Sequence, residues 1–443
     1  MTRGRSTLLL LLVAAGLGAY IYFVEMERET SDAEPPPDRV FTDLDAGEIS
    51  ALTLRAANGD ETSLEREGAG WRITAPVATR ADGAEVSGVT SNLASLDLSR
   101  VIDEAPTNVA AFGLDTPRLS IGFTTPAGTE RLLIGSRTAT GGDLYARLES
   151  SPRVFLIPSW LETSLDRTTF QLRDKTIADL DRTAVDAISI IGTPGTIELA
   201  KENDRWMLRQ PLVARADSGA VDTLLSRLSS GQMQDVVADD PATLDVYGLA
   251  PPRTTVTASG AGTVLAQVLV GAPSGDTAVH MKDDRRNTVF TVDTTLAADL
   301  ERNVSAYRSK SLVAGDVGTA THLRVTRGDR VHAFSRTTGE GDGATPTWTS
   351  EGSAAPAVPA DRVGEFASRL PTLRAETWES RVPPGASPLA TIEVTAADGQ
   401  VETVRLVESA DVVFAVREDE PGAARLARST VDDLLALLDE GES

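Results

Sequence analysis

The chain has 443 residues, 41% of them hydrophobic and 24% charged, with no cysteine and a formal net charge of −23. That length exceeds what one hydrophobic core organises and predicts roughly two to four globular domains. The composition excludes intrinsic disorder. The missing thiols exclude disulfides, thiolate nucleophiles, cysteine zinc sites and a lipid-modified cysteine anchor, and 65 acids against 42 bases oppose the basic face that nucleic acid requires.

Thr7 to Val24 is an uncharged apolar run of 18 residues. As a helix it reaches about 27 Å, close to the hydrocarbon thickness of a bilayer. Arg3 and Arg5 precede it and Glu25, Glu27 and Glu29 follow. The positive-inside bias then predicts a single-pass protein with the N-terminus in the cytoplasm and the bulk of the chain across the membrane. A cleaved signal peptide is the alternative, but Tyr20, Tyr22 and Phe23 at the exit favour an interfacial belt over a small-residue cleavage site. Residues 1–24 are thus read as a cytoplasmic tip and transmembrane helix. Residues 25–40, acidic and carrying Pro35-Pro36-Pro37, are read as an extended linker.

Beyond the linker one pattern occurs twice, displaced by 135 positions. Trp71 returns as Trp206, Pro76 as Pro211, and Arg80-Ala81-Asp82 as Arg215-Ala216-Asp217. Phe112-Gly113-Leu114 returns as Tyr247-Gly248-Leu249, and Arg173-Asp174-Lys175 as Arg308-Ser309-Lys310. Chance would scatter such offsets, so a folding unit has been copied in series. The predicted modules span residues 41–177 and 178–313, with a divergent third over 314–443.

Within a module, alternation predicts strands at Ile49–Leu54 and Val185–Ile190, then a strand centred on Trp71 or Trp206. A helix follows. Asp82 with Glu85 has capping-box spacing and Asp217 or Ser218 opens the second copy, with Val86, Val89, Leu93 and Leu96 on one helical face. After the aromatic-Gly-Leu turn come strands at Leu119–Phe123 and Thr254–Thr257, then strands ending at Gly135 and Gly271, whose isolated glycines suit turns. A hairpin (Leu144–Leu148 with Val154–Ile157) and a short helix close the module. In the third copy Trp348 marks the tryptophan strand, Asp361 the helix start, and Pro383-Pro384-Gly385 replaces the aromatic-Gly-Leu turn. The expected fold class is α+β: about three tandem modules, each an antiparallel sheet with packed helices, after a single N-terminal transmembrane helix.

Candidate chemistry reduces mostly to structure. Trp71, Trp206 and Trp348 recur at one strand position, which suits core; Trp160 and Trp378 have no echo and are the better ligand-contact candidates. Asp82 and Asp217 read as caps, and the pairs Asp43/Asp45 and Asp179/Asp181 as turns, because no calcium-loop spacing follows them. His322 and His332 sit in neighbouring predicted strands, but two imidazoles without a third ligand make no zinc site, and no metal or cofactor is expected. No nucleophile elbow and no Gly-rich phosphate loop occurs, so no catalytic residue is assigned and the chain is read as a non-enzyme. Arg173, Lys175, Arg308 and Lys310 close the first two modules; they pair with acids across a seam or form a docking patch for an acidic partner.

The run Trp71-Arg72-Ile73-Thr74-Ala75-Pro76, the later Phe112-Gly113-Leu114-Asp115-Thr116-Pro117, Leu133-Ile134-Gly135 and the closing Phe170-Gln171-Leu172-Arg173-Asp174-Lys175 resemble a large bacterial family of unknown function. Its members carry an N-terminal membrane anchor before repeated modules, and their genes often lie beside those of gliding-motility-type ABC transporters. The resemblance implies an extracytoplasmic accessory or scaffold protein of the bacterial inner membrane, with a periplasmic body, contacting ABC transporter membrane subunits. The alternative is a binding protein for cell-wall glycan or polysaccharide through Trp160 or Trp378.

Overall fold

The computed structural model describes residue 20 and residues 38–193, 195–313, 317–337, 347–351 and 358–439. The predicted membrane span over residues 7–24 lies outside the described residues except for Tyr20, and so does the linker as far as residue 37. Among the described residues no helix is long and apolar enough to cross a membrane. The chain divides into two compact units, Met1–Lys175 and Thr176–Ser443.

The first unit holds a nine-stranded sheet. Its strands lie in the spatial order Thr79–Arg80, Gly70–Ala75, Glu61–Glu67, Ala51–Arg55, Leu119–Thr125, Gly128–Arg137, Asp143–Leu148, Val154–Pro158 and Arg100–Asp103, every pair antiparallel. Alternation decides the buried face: Leu52, Leu54, Leu64 and Ile73 point into the core while Thr53, Arg55 and Arg72 face solvent. Helix Gly83–Ala94 covers that face with Val86, Val89 and Leu93, all fully buried. It starts where Asp82 Oδ1 accepts the amides of Ala84 (3.0 Å) and Glu85 (3.2 Å). Trp71 is buried in the same core, with the Arg66 guanidinium 4.7 Å over its ring.

The second unit holds two sheets. One runs Ala214–Arg215, Arg205–Gln210, Thr196–Glu202, Ala187–Gly192, Thr254–Gly260, Thr263–Ser274, Ala278–Asp283, Val289–Asp293 and Asp235–Ala238, the same permutation as in the first unit. Helix Ser218–Ser230 covers it through Val221, Leu224 and Leu228, and Asp217 caps it by accepting Ala220 N–H at 3.0 Å. The other sheet keeps the permutation over eight strands: Thr347–Glu351, Arg330–Thr337, His322–Arg327, Ser387–Thr395, Val401–Ser409, Val412–Arg417, Ala423–Leu426 and Thr377–Glu379. Among the described residues it has no counterpart of the two-residue edge strand. Its helix Ala360–Arg369 begins one residue before the expected Asp361 and has no side-chain cap, because Pro359 occupies the N-cap position.

Two kinds of strand escaped the pattern reading. Glu61–Glu67 and Thr196–Glu202 lie beside the first strand of each module; Glu61–Glu67 buries only Thr62 and Leu64 among polar neighbours. Arg100–Asp103 and Asp235–Ala238 are short edges that bury no side chain. The tertiary pairing supplies what their local pattern lacks.

Backbone bridges recur as faithfully as side chains. In the first unit the incoming chain pairs Arg39 with Asp97, just past the long helix, and the closing chain pairs Arg173 with Ala81, with Asp82 N–H donating to Leu172 O at 2.8 Å. In the second unit incoming Thr176 pairs with Gln232, and closing Arg308 with Ala216. There the chain leaving one sheet is also the chain entering the next: Ser311 pairs with Arg374, and Ala375 N–H donates to Lys310 O at 2.8 Å.

The repeated glycines have a different task from the one expected. Gly113 and Gly248 do end turns, in the left-handed conformation at φ 70° and 65°. Gly135 and Gly271, however, lie inside Gly128–Arg137 and Thr263–Ser274, where the ladder slips at a bulge. A Cβ at Gly135 would overlap the carbonyl oxygen of Phe112, and one at Gly271 that of Tyr247. The third sheet has Pro383-Pro384-Gly385 in place of the turn, and its strand Val401–Ser409 has no glycine. Gly135→Ala is therefore expected to destabilise the first unit by about 1–3 kcal/mol through overpacking. Gly88→Ala, in the middle of helix Gly83–Ala94 with open space around it, should instead stabilise by up to about 1 kcal/mol. Thermal unfolding of the two variants checks the opposite signs.

Candidate functional site

Several sequence candidates resolve into local structure. Asp45 accepts Gly47 N–H at 2.7 Å, and Asp181 accepts the Thr183 amide at 2.9 Å and its hydroxyl at 2.7 Å, so both acids cap short 3₁₀ turns. Those Thr183 bonds hold the Asp181 carboxyl below its usual range. His322 and His332 lie on paired strands, but the register sets His322 opposite Ser335 and His332 opposite Val325. His322 is exposed and His332 is buried, which lowers the His332 pKa. Among the described residues no three His, Asp or Glu side chains gather to hold a metal.

Of the six candidate contact residues, three belong to the first unit. Trp160 is 63% exposed, at the start of helix Leu161–Leu165. Beside it in sequence, Glu162 is buried and holds Arg118 at 2.7 Å together with Arg137. Arg173 is buried at the closing bridge. Lys175 Nζ lies 3.3 Å from Asp82 Oδ2 and donates to Gln171 O at 2.9 Å. Its acid is thus the helix cap of its own module, not one across a seam as the pairing reading had it. Asp82 uses one oxygen to cap and presents the other to the closing chain.

The structure brings Arg308, Lys310 and Trp378 together in the second unit, and there the pairing across sheets does occur. Arg308 is 4% exposed, donates to Pro421 O at 2.6 Å and lies 3.6 Å from Glu420 Oε2. Its guanidinium carbon sits 3.3 Å over the Trp378 ring, so one face of that indole is already covered. Arg215 Nε donates to Glu420 Oε1 at 2.5 Å, and its Nη2 reaches Ser311 O at 2.9 Å. From the third sheet Arg417, also buried, holds Asp419 at 2.6 Å, Glu402 at 3.2 Å and the Leu312 carbonyl, with Glu420 at 3.9 Å. Burial lowers the Arg308 pKa by more than Glu420 restores. Around Arg417 burial acts the same way, but Asp419, Glu402 and Glu420 outweigh it and the pKa rises.

Sequence reasoning missed Arg215, Arg417, Glu420 and Arg374. Arg215 had a signal, since it is the 135-step counterpart of Arg80. Glu420 had none: it stands in the turn between Val412–Arg417 and Ala423–Leu426, one acid among several in Glu418-Asp419-Glu420.

Beside this knot a cleft of about 660 Å³ opens between the two sheets of the second unit. Lys310, Arg374, Trp378, Thr377 and Ser305 line it, along with Arg302, the acid Glu376 and the capped helix start at Asp217. Guanidinium and ammonium groups stay charged at neutral pH and donate hydrogen bonds without accepting any, so Lys310 and Arg374 offer donors suited to an anionic group.

Replacing Glu420 by Gln leaves Arg215 and Arg308 facing a neutral amide in a buried site. The expected cost is about 3 kcal/mol or more, because an uncompensated buried charge is more costly than the pair is favourable. Urea unfolding of the E420Q variant beside the parent chain measures it; a loss within experimental error would show the knot to be dispensable.

The model of the family described as Domain of unknown function (DUF4340) matches the chain at residues 71–214 and again at 206–396. The two matches start at Trp71 and Trp206, reproducing the 135-residue step. No curated protein and no solved structure matches the chain. Two consecutive matches covering most of the chain, over antiparallel sheets of one permutation, establish that it belongs to the DUF4340 family, as tandem repeats of that domain.

Proposed function

We propose that this protein is a membrane-anchored extracytoplasmic scaffold, held at the bacterial inner membrane by residues 7–24 and serving a gliding-type ABC transport system as a non-enzymatic accessory. The observation that carries the reading is what the repeats keep in common. Trp71 and Trp206 are core, Asp82 and Asp217 are helix caps, and Gly113 and Gly248 are turn residues. Copying such a unit reproduces a shape, and shape with contact is what a scaffold supplies. The energy of transport belongs to the partner, whose membrane subunits this chain would touch. Extraction in mild detergent should recover the chain together with ATP-hydrolysing transporter subunits. Recovery of the lone polypeptide, under conditions that keep other membrane complexes whole, would count against this role.

A second reading, glycan binding, has one observation in its favour: Trp160 presents 63% of its surface to solvent, two residues along the chain from Glu162 of the Arg118–Glu162 pair. An aromatic face beside polar groups is the form that sugar rings stack on. Purified cell wall should then retain the chain and release the Trp160→Ala variant. Equal retention of both removes the reading.

A further inference from the structure

The same lysine stands at the close of the first two repeats, but its surroundings differ. Lys175 is tied to Asp82 at 3.3 Å and to Gln171 O at 2.9 Å. Lys310, its counterpart, is exposed, and among the described residues its ammonium group has no ion pair with Asp217 or any other acid. It projects with Arg374, which is exposed as well, into the 660 Å³ cleft. Asp217 and Glu376 line the same cleft, but Asp217 is taken up as the helix cap and Glu376 lies 3.9 Å from Arg425, so in a chain of net charge −23 Lys310 and Arg374 stand there, among the described residues, as two cations without an ion pair.

A second observation concerns the cleft wall. Thr377–Glu379 ends its sheet, bonded on one side to Ala423–Leu426, with no strand on the other among the described residues. Thr377 and Trp378 of that strand line the cleft. A free strand edge offers backbone donors and acceptors at the spacing of an extended chain, which binds there by strand addition.

We infer that this cleft is a docking groove for an extended acidic segment of a partner protein. The segment adds to the Thr377–Glu379 edge and sets its carboxylates against Lys310 and Arg374. Charge complementarity decides the sign of the partner, and the free edge decides that it is a peptide in strand form. The inference deepens the scaffold reading, on which it rests, by naming the partner's chemistry.

The test uses the full-length chain in mild detergent at low ionic strength, with fluorescence anisotropy of a labelled peptide of about ten residues alternating Glu and Val. Saturable binding is expected for this peptide and none for its Lys/Val counterpart. The double variant Lys310→Glu/Arg374→Glu should weaken binding about tenfold or more, while Arg324→Glu, the same charge reversal outside the groove, should leave it within about twofold. N-methylating alternate backbone amides of the peptide should abolish binding. The inference is overturned if the acidic peptide fails to bind, if Arg324→Glu is as damaging as the groove variant, or if N-methylation has no effect. Displacement of the peptide by polygalacturonate at lower concentration would overturn it too, assigning the groove to a polysaccharide. No transporter is present in this assay, so its failure is separate from failure of the co-purification.

Discussion

In each repeat one face of an antiparallel sheet is closed by one long helix, and with no cysteine in the chain this burial bears the stability of the module. Val86, Val89 and Leu93 meet Leu52, Leu54, Ile73 and Trp71 in one core, and each fully buried aliphatic side chain contributes roughly 1.5–3 kcal/mol. The helix must begin at one defined residue for those positions to land on the sheet. Asp82 and Asp217 set that start, and the chain closing the module bonds to the same place, through Leu172 O and Tyr307 O. Cap, closing bridge and core are thus one construction, which is why Trp71, Asp82 and Arg173 recur together as Trp206, Asp217 and Arg308.

The junction inside the second unit uses a different kind of interaction. Buried guanidiniums from two sheets converge on Glu420, and backbone carbonyls of Ser311, Leu312 and Pro421 take up further donors. Such a knot adds little net stability over an apolar seam of equal volume, but removing one partner leaves a buried charge uncompensated. It also stacks Arg308 on Trp378 and so fixes one wall of the adjoining cleft. The junction thus has a buried part, where Arg308 and Arg417 meet Glu420, and an exposed part, where Lys310 and Arg374 have no ion pair among the described residues.

Much of the fold was legible because its signals are local. The helix faces, the caps at Asp82 and Asp217, the left-handed glycines at Gly113 and Gly248 and the core role of the repeated tryptophans each follow from a few neighbouring residues. Glu61–Glu67 was not legible, because a half-polar strand is defined by what lies on either side of it. Gly135 and Gly271 were read as turns for a related reason: their real requirement, a backbone passing too close for a Cβ, comes from residues 23 and 24 positions earlier. Of the candidate site, Arg308, Lys310 and Trp378 were picked out by repetition and by its absence, but nothing linked them.

The sequence by itself determined the repeat, the α+β class and the face of each element that is buried, since these rest on periodicity and on side chains that act within one or two turns of chain. Only the tertiary structure decided the rest. It paired Arg308 with Glu420, left Lys310 without an acid among the described residues where Lys175 has Asp82, and put the edge of Thr377–Glu379 beside both. Those relations join residues 67 to 112 positions apart, and an acid in a turn carries no mark of the distant cation that its burial requires.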